Sequence, residues 1–171
     1  MARLTLSAMF QLTDGVIVGL CVVGWAAWSL VVGFGCHLLP LTLLETDTWL
    51  TRFLPWENSH WYKRVLRIDR WKDWLPEAGN FFPGGFRKNS VGDGDCAVMS
   101  RFVAETRRAE YVHLAIWPFW LVTMLWTPGW GMLINLVVGT ALNLPCLWVQ
   151  RYNRLRLQHL LLLKGQGKTI C

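Results

Sequence analysis

Charge is what this sequence is short of. Only 16% of its 171 residues are Asp, Glu, Lys or Arg, against about 25% in a soluble domain. None of the four occurs between Asp14 and Glu45 or between Glu110 and Arg151, which leaves uncharged stretches of 30 and 40 residues. That deficit excludes a water-soluble enzyme and a disordered tail. There is no C-x-x-C spacing among Cys21, Cys36, Cys96, Cys146 and Cys171, so neither a zinc site nor a disulfide framework is implied, and reduced thiols packed as small hydrophobes are expected. Internal repeats, heptads and low-complexity segments are also missing, and no Ser or Cys sits in a nucleophile elbow.

What is present is apolar and aromatic: 53% hydrophobic residues and 12 Trp. A bilayer core about 30 Å thick is crossed by ~20 helical residues. The first uncharged stretch therefore supplies one span, near Gly15 to Leu39, read as uncleaved because it is longer than a signal sequence's apolar region. The second is too long for one span, and Thr127-Pro128-Gly129 marks a turn within it. The expectation is an all-α integral membrane protein of one domain with three spans, near 15–39, 112–126 and 130–149. Of the 17 basic residues, one precedes the first span, eleven lie from Arg52 to Arg108 and five from Arg151 to Lys168. With three spans the last two groups share the cytoplasmic side, and the amino terminus lies outside. Basic residues beside membrane ends point to anionic lipid headgroups as partners rather than nucleic acid.

Between the first two spans, segment 41–110 interleaves Trp56, Trp61, Tyr62, Trp71 and Trp74 with Lys63, Arg64, Arg67, Arg70 and Lys72, the mixture of a helix lying in the headgroup layer. The Gly-rich stretch that follows holds Phe81-Phe82-Pro83-Gly84-Gly85-Phe86-Arg87-Lys88, suited to a lipid tail and an anionic head or to interfacial anchoring. Gly92-Asp93-Gly94-Asp95 reads as a surface turn, without the full ligand set of a calcium loop. A helix beginning near Cys96 and entering the second span carries Glu105, Thr106, Ala109, Glu110, His113 and Trp117 within an arc of about 140°. Ionisable groups at such depth are costly and mark function. The bland alternative pairs Glu105 with Arg108 and Glu110 with Arg107 at i,i+3. In the third span Asn143, Gln150 and Arg154 fall on one stripe, and Pro145 predicts a kink. Both polar sets are expected to face each other around one cavity.

The run Glu105-Thr106-Arg107-Arg108-Ala109-Glu110-Tyr111-Val112-His113, some thirty apolar residues, Asn143-Leu144-Pro145 and then Gln150-Arg151-Tyr152-Asn153-Arg154-Leu155-Arg156-Leu157 together resemble the glycosyl-4,4'-diaponeurosporenoate acyltransferase family of bacterial carotenoid synthesis. Trp71-Lys72-Asp73-Trp74-Leu75-Pro76 extends the likeness, which covers roughly residues 60 to 165. The resemblance implies transfer of a fatty acyl chain to a sugar hydroxyl of a glycosylated isoprenoid at the bacterial cytoplasmic membrane. It carries no catalytic assignment.

The residues can supply that chemistry. Acyl transfer to a hydroxyl needs a base and oxyanion donors. His113 is the natural base, with Glu110 or Glu105 to orient it. Arg154, Asn153 and Asn143 are candidate donors, and Gln150, Arg108 and Trp117 complete the expected substrate contacts. No metal or bound cofactor is expected, and acyl-CoA or another acyl thioester is the expected co-substrate. Two alternatives stand beside it. One is an isoprenoid cyclase or isomerase in which Glu105 or Glu110 is a general acid in a Trp-lined pocket. The other is a non-catalytic lipid-binding membrane subunit.

Overall fold

The computed structural model describes residues 13–75 and 96–166. Among them every regular element is helical. Helix α1, Asp14–His37, has 24 residues. A 3₁₀ turn at Leu41–Leu44 leads into an irregular segment that carries α2, Ser59–Arg64, and two further 3₁₀ turns at Ile68–Arg70 and Lys72–Trp74. Helix α3 runs over Cys96–Ile116, α4 over Phe119–Thr123 and α5 over Gly129–Gln166.

Two of these helices, α1 and α5, are long and apolar enough to cross a membrane. Most of α1 faces outward: Val18, Val22, Val23 and Val31 are exposed and only Val32 is buried. The stretch expected to form a middle span is not one helix. Pro118, which has no N–H to extend the ladder, separates α3 from α4, and Pro128 precedes α5. Helix α5 is longer than expected. Its 38 residues, ~57 Å at the α-helical rise, continue through Pro145 and absorb the whole polar run from Gln150 onward.

The single interfacial helix expected near residues 49–75 is also absent. Pro55, the Asn58 cap that accepts from the Trp61 N–H, and Arg67 with φ 49° divide that stretch into short turns. It instead wraps α5, with Tyr62 and Ile68 buried against Tyr152. Trp49 and Trp74 remain exposed. The Gly-rich calls at 81–88 and 92–95 lie outside the described residues. Cys21, Cys36 and Cys146 are free as expected, whereas Cys96 is disulfide-bonded. That pairing is set by tertiary approach, to which a search for short cysteine spacings is blind.

Helices α3 and α5 run antiparallel. Met99 and Val103 pack on Leu157 at one end, and Phe119 of α4 closes the other by stacking on Trp28 (5.7 Å) and meeting Trp25 edge-on (5.2 Å). Helix α1 packs on α3 and α4 and reaches α5 through Trp25, and two glycines permit these contacts. A Cβ on Gly139 would sit 2.7 Å from the Trp25 ring, and one on Gly24 would sit 3.0 Å from Phe119. The Trp25 indole N–H donates to Asn135 Oδ1 (2.8 Å), so the ring is pinned where it covers Gly139.

Candidate functional site

Two layers of polar side chains lie between α3 and α5. The outer one is a buried ion cluster. Arg154 and Arg151, at i,i+3 on α5, face Glu110 of α3. Arg151 Nη1 donates to Glu110 Oε2 (2.9 Å), and Arg154 Nη2 lies 3.1 Å from Glu110 Oε1. The irregular segment supplies the other acids. Glu57 accepts from Arg151 Nε (2.8 Å) and Nη2, while Asp47 accepts from Arg154 Nη1 (2.5 Å) and Arg107 Nε (2.6 Å). Backbone carbonyls of Thr51, Arg52 and Leu44 take further guanidinium protons, while Arg154 Nε is buried without a partner. The Phe53 ring covers Arg154 at 4.1 Å, a cation–π contact in a dry setting.

Three carboxylates thus meet three guanidiniums, and the cluster is neutral. Glu110 and Arg154 are fully buried. Burial raises the Glu57 carboxyl, but hydrogen bonds from Arg151, Tyr62 and the Leu54 N–H outweigh it and leave Glu57 below its ordinary value. Burial, and then the bond to Glu57, pushes Tyr62 up.

The inner layer is the pair His113 and Asn143. Asn143 Nδ2 donates to the Gly139 carbonyl one turn back (2.9 Å), which turns its Oδ1 toward His113 Nδ1, 3.1 Å away. An amide oxygen only accepts, so Nδ1 carries the proton and Nε2 is left as the ring's acceptor. This tautomer is assigned from the hydrogen-bond network. It is the one a general base uses.

Below the pair, a cleft of about 640 Å³ runs between α1 and α5. His113, Asn143 and Ser29 line one end, and Asp14, Thr127 and Trp130 line the other. Its walls are mostly aliphatic. Val18, Val22, Ile134 and Leu142 are also exposed, so the cleft opens sideways between the two long helices.

The expected residues divide cleanly. His113 with Asn143, and Glu110 with Arg154, are brought together across the α3–α5 contact. Glu105 stays on its own helix, bonded to Arg108 Nη1 (2.8 Å), whose Nη2 caps the Leu39 carbonyl at the end of α1. That pair follows the bland reading. The other bland pair does not form, since Arg107 turns to Asp47 and Glu110 to α5. Trp117 donates to Thr140 Oγ1 (2.9 Å) and ties α3 to α5. Gln150 and Asn153 are half-buried and outside both layers. Asn143, rather than Glu110 or Glu105, contacts the imidazole. Sequence reasoning missed Asp47, Glu57 and Arg151 as partners. For Arg151 a signal existed, its i,i+3 relation to Arg154.

A family model described as glycosyl-4,4'-diaponeurosporenoate acyltransferase matches residues 46–162. The matched region holds both polar layers and excludes α1. A relative from Staphylococcus haemolyticus (strain JCSC1435), named "Glycosyl-4,4'-diaponeurosporenoate acyltransferase", is 32% identical over 99 residues, which is 57% of this chain and 57% of the relative. The match therefore spans little more than half the length of that protein. No solved structure matches.

Proposed function

The chain belongs to the glycosyl-4,4'-diaponeurosporenoate acyltransferase family, and from that premise we propose that it transfers a fatty acyl group from an acyl thioester to a hydroxyl of a glycosylated isoprenoid lipid in the bacterial cytoplasmic membrane. The observation that carries this reading is the His113–Asn143 pair at the end of an apolar cleft. His113 Nε2 takes the proton of the acceptor hydroxyl as its oxygen attacks the thioester carbonyl. The carbon–sulfur bond then breaks, and the thiolate leaves with the proton that His113 gives back. Direct transfer of this kind needs no covalent acyl-enzyme.

Asn143 Nδ2 is committed to the Gly139 carbonyl and Arg154 is not among the residues lining the cleft, which argues against the oxyanion role first expected of them. Ser29 fits that role better. The Trp28 indole donates to the Ala115 carbonyl (3.1 Å), which sets residues 28 and 29 of α1 beside the His113 segment, and Ser29 lines the cleft with His113. Glu110 is clamped by two guanidiniums and is not among the residues lining the cleft. That placement favours acyl transfer over proton delivery to an isoprenoid alkene.

The ion cluster anchors the irregular segment to α3 and α5 and holds their register. In this reading the cluster lies at the cytoplasmic edge of the membrane, with the basic end of α5 beside it, and the amino terminus lies outside. The test is incubation of purified protein with a radiolabelled acyl-CoA and a glycosylated polyisoprenoid. Label in the acceptor, dependent on both substrates, is expected. Modification of the isoprenoid without any acyl donor would replace this reading with the cyclase or isomerase.

A further inference from the structure

Resting on the acyl-transfer reading, the geometry points to the occupant of the cleft: one flexible, saturated acyl chain that enters sideways from the membrane, with its carbonyl end at His113 and its methyl end near Asp14 and Trp130. The position of the base sets that direction. The one imidazole among the lining residues, His113, lies at the Asn143 end, while the wall between is made mostly by aliphatic residues of α1 and α5. From Asn143 to Trp130, α5 advances ~20 Å, so the cleft is long and narrow rather than round.

Its path is not straight. Trp25 lies against Gly139 and is fixed by Asn135, so an aromatic ring stands in the wall part of the way along. An alkyl chain turns around such an obstacle by rotating single bonds, whereas a conjugated polyene stays rigid. The shape therefore favours the acyl chain over the isoprenoid. One whole wall comes from α1, which lies outside the family match. Selection among acyl chains then belongs to this chain's own first helix.

Position-resolved photolabelling tests the proposal in detergent-solubilised full-length protein. Palmitic acid carrying a diazirine at its methyl end should label Ile17, Val18 and Ile134. The same acid with the diazirine beside the carboxyl should label Ala26, Ser29 and Leu142. Val22→Trp, which fills the middle of the cleft, should abolish the first pattern and spare the second. If that variant does not fold, the two wild-type maps decide alone.

The proposal is overturned if both probes mark the same residues, if the order is reversed, or if label falls on Val23, Val31 and Val137 outside the cleft. Displacement of the label by a conjugated polyene carboxylic acid as readily as by palmitic acid would also overturn it, and would assign the cleft to the isoprenoid. The maps need no turnover. A correct map with no acyl transfer therefore removes the function proposed above and leaves the occupant standing, while transfer with a uniform map does the opposite.

Discussion

If Asn143 acts only by fixing the His113 tautomer, its removal should matter only while His113 is present. Asn143→Leu keeps similar bulk and deletes the acceptor that faces Nδ1 at 3.1 Å. A buried neutral hydrogen bond contributes about 0.5–1.5 kcal/mol net, which corresponds to roughly two- to twelve-fold in rate. His113→Ala removes the base itself and should cost ~10² to 10⁴. In the His113→Ala background, Asn143→Leu should then have no further effect on kcat, because nothing is left for it to orient. The assay is transfer of labelled acyl groups under saturating donor, with KM for the donor followed in parallel and expected to stay constant. Two results would refute the reasoning: an equal loss from Asn143→Leu in both backgrounds, or a loss from Asn143→Leu as large as that from His113→Ala. The first would make Asn143 a helix-packing residue, and the second would give it direct contact with the reacting atoms.

Other outcomes follow from the ion cluster and the fold. Arg154→Met leaves three carboxylates, two of them with buried side chains, against two guanidiniums and should destabilise by about 3–5 kcal/mol; adding Glu110→Gln restores the balance, so the pair should cost less than the sum of the singles, and additive losses in detergent unfolding would contradict the coupling. Glu57 is held below its ordinary value in the folded protein, so its stabilisation is complete above the usual carboxylate range and is lost as pH falls through the lowered folded value. Glu57→Gln should therefore unfold more easily at neutral pH and lose part of the acid-side decline, and an unchanged acid profile would remove Glu57 from this account. A reporter fused after Cys171 should be active only in its cytoplasmic form, and an active periplasmic fusion there would reverse the proposed orientation.

The sequence made the helical half of the site legible. His113 and Glu110 on α3, and Asn143 and Arg154 on α5, stand out because helical periodicity assigns faces and because polar groups in an apolar run need partners. What could not be read was the contribution of irregular backbone. Asp47 and Glu57 are ordinary acids in a Trp-rich stretch, and nothing local says that they fold onto α5. Arg107 is within i,i+3 reach of Glu110, yet the carbonyl of Leu44 and the carboxylate of Asp47 bid for the same guanidinium from another element. Charge on both sides of the α3–α5 contact then sorts itself by proximity in three dimensions. The interfacial helix failed partly for a local reason that was available, since Pro55 interrupts the period, and partly for one that was not, the left-handed backbone at Arg67. Pro118 likewise stood in plain view, but hydropathy averages over a single proline.

The neutral ion cluster also imposes an order of events during synthesis. Asp47, Glu57, Arg107 and Glu110 leave the ribosome well before Arg151 and Arg154, so for a time two acids have no guanidinium to meet. Burying them in that interval would cost several kcal/mol apiece, and they stay hydrated until the last helix arrives. The Trp-rich segment therefore cannot close over α3 by itself. Helix α5 is the keystone, and a nascent chain that stalls before Arg151 presents quality-control proteases with a segment that has not yet closed.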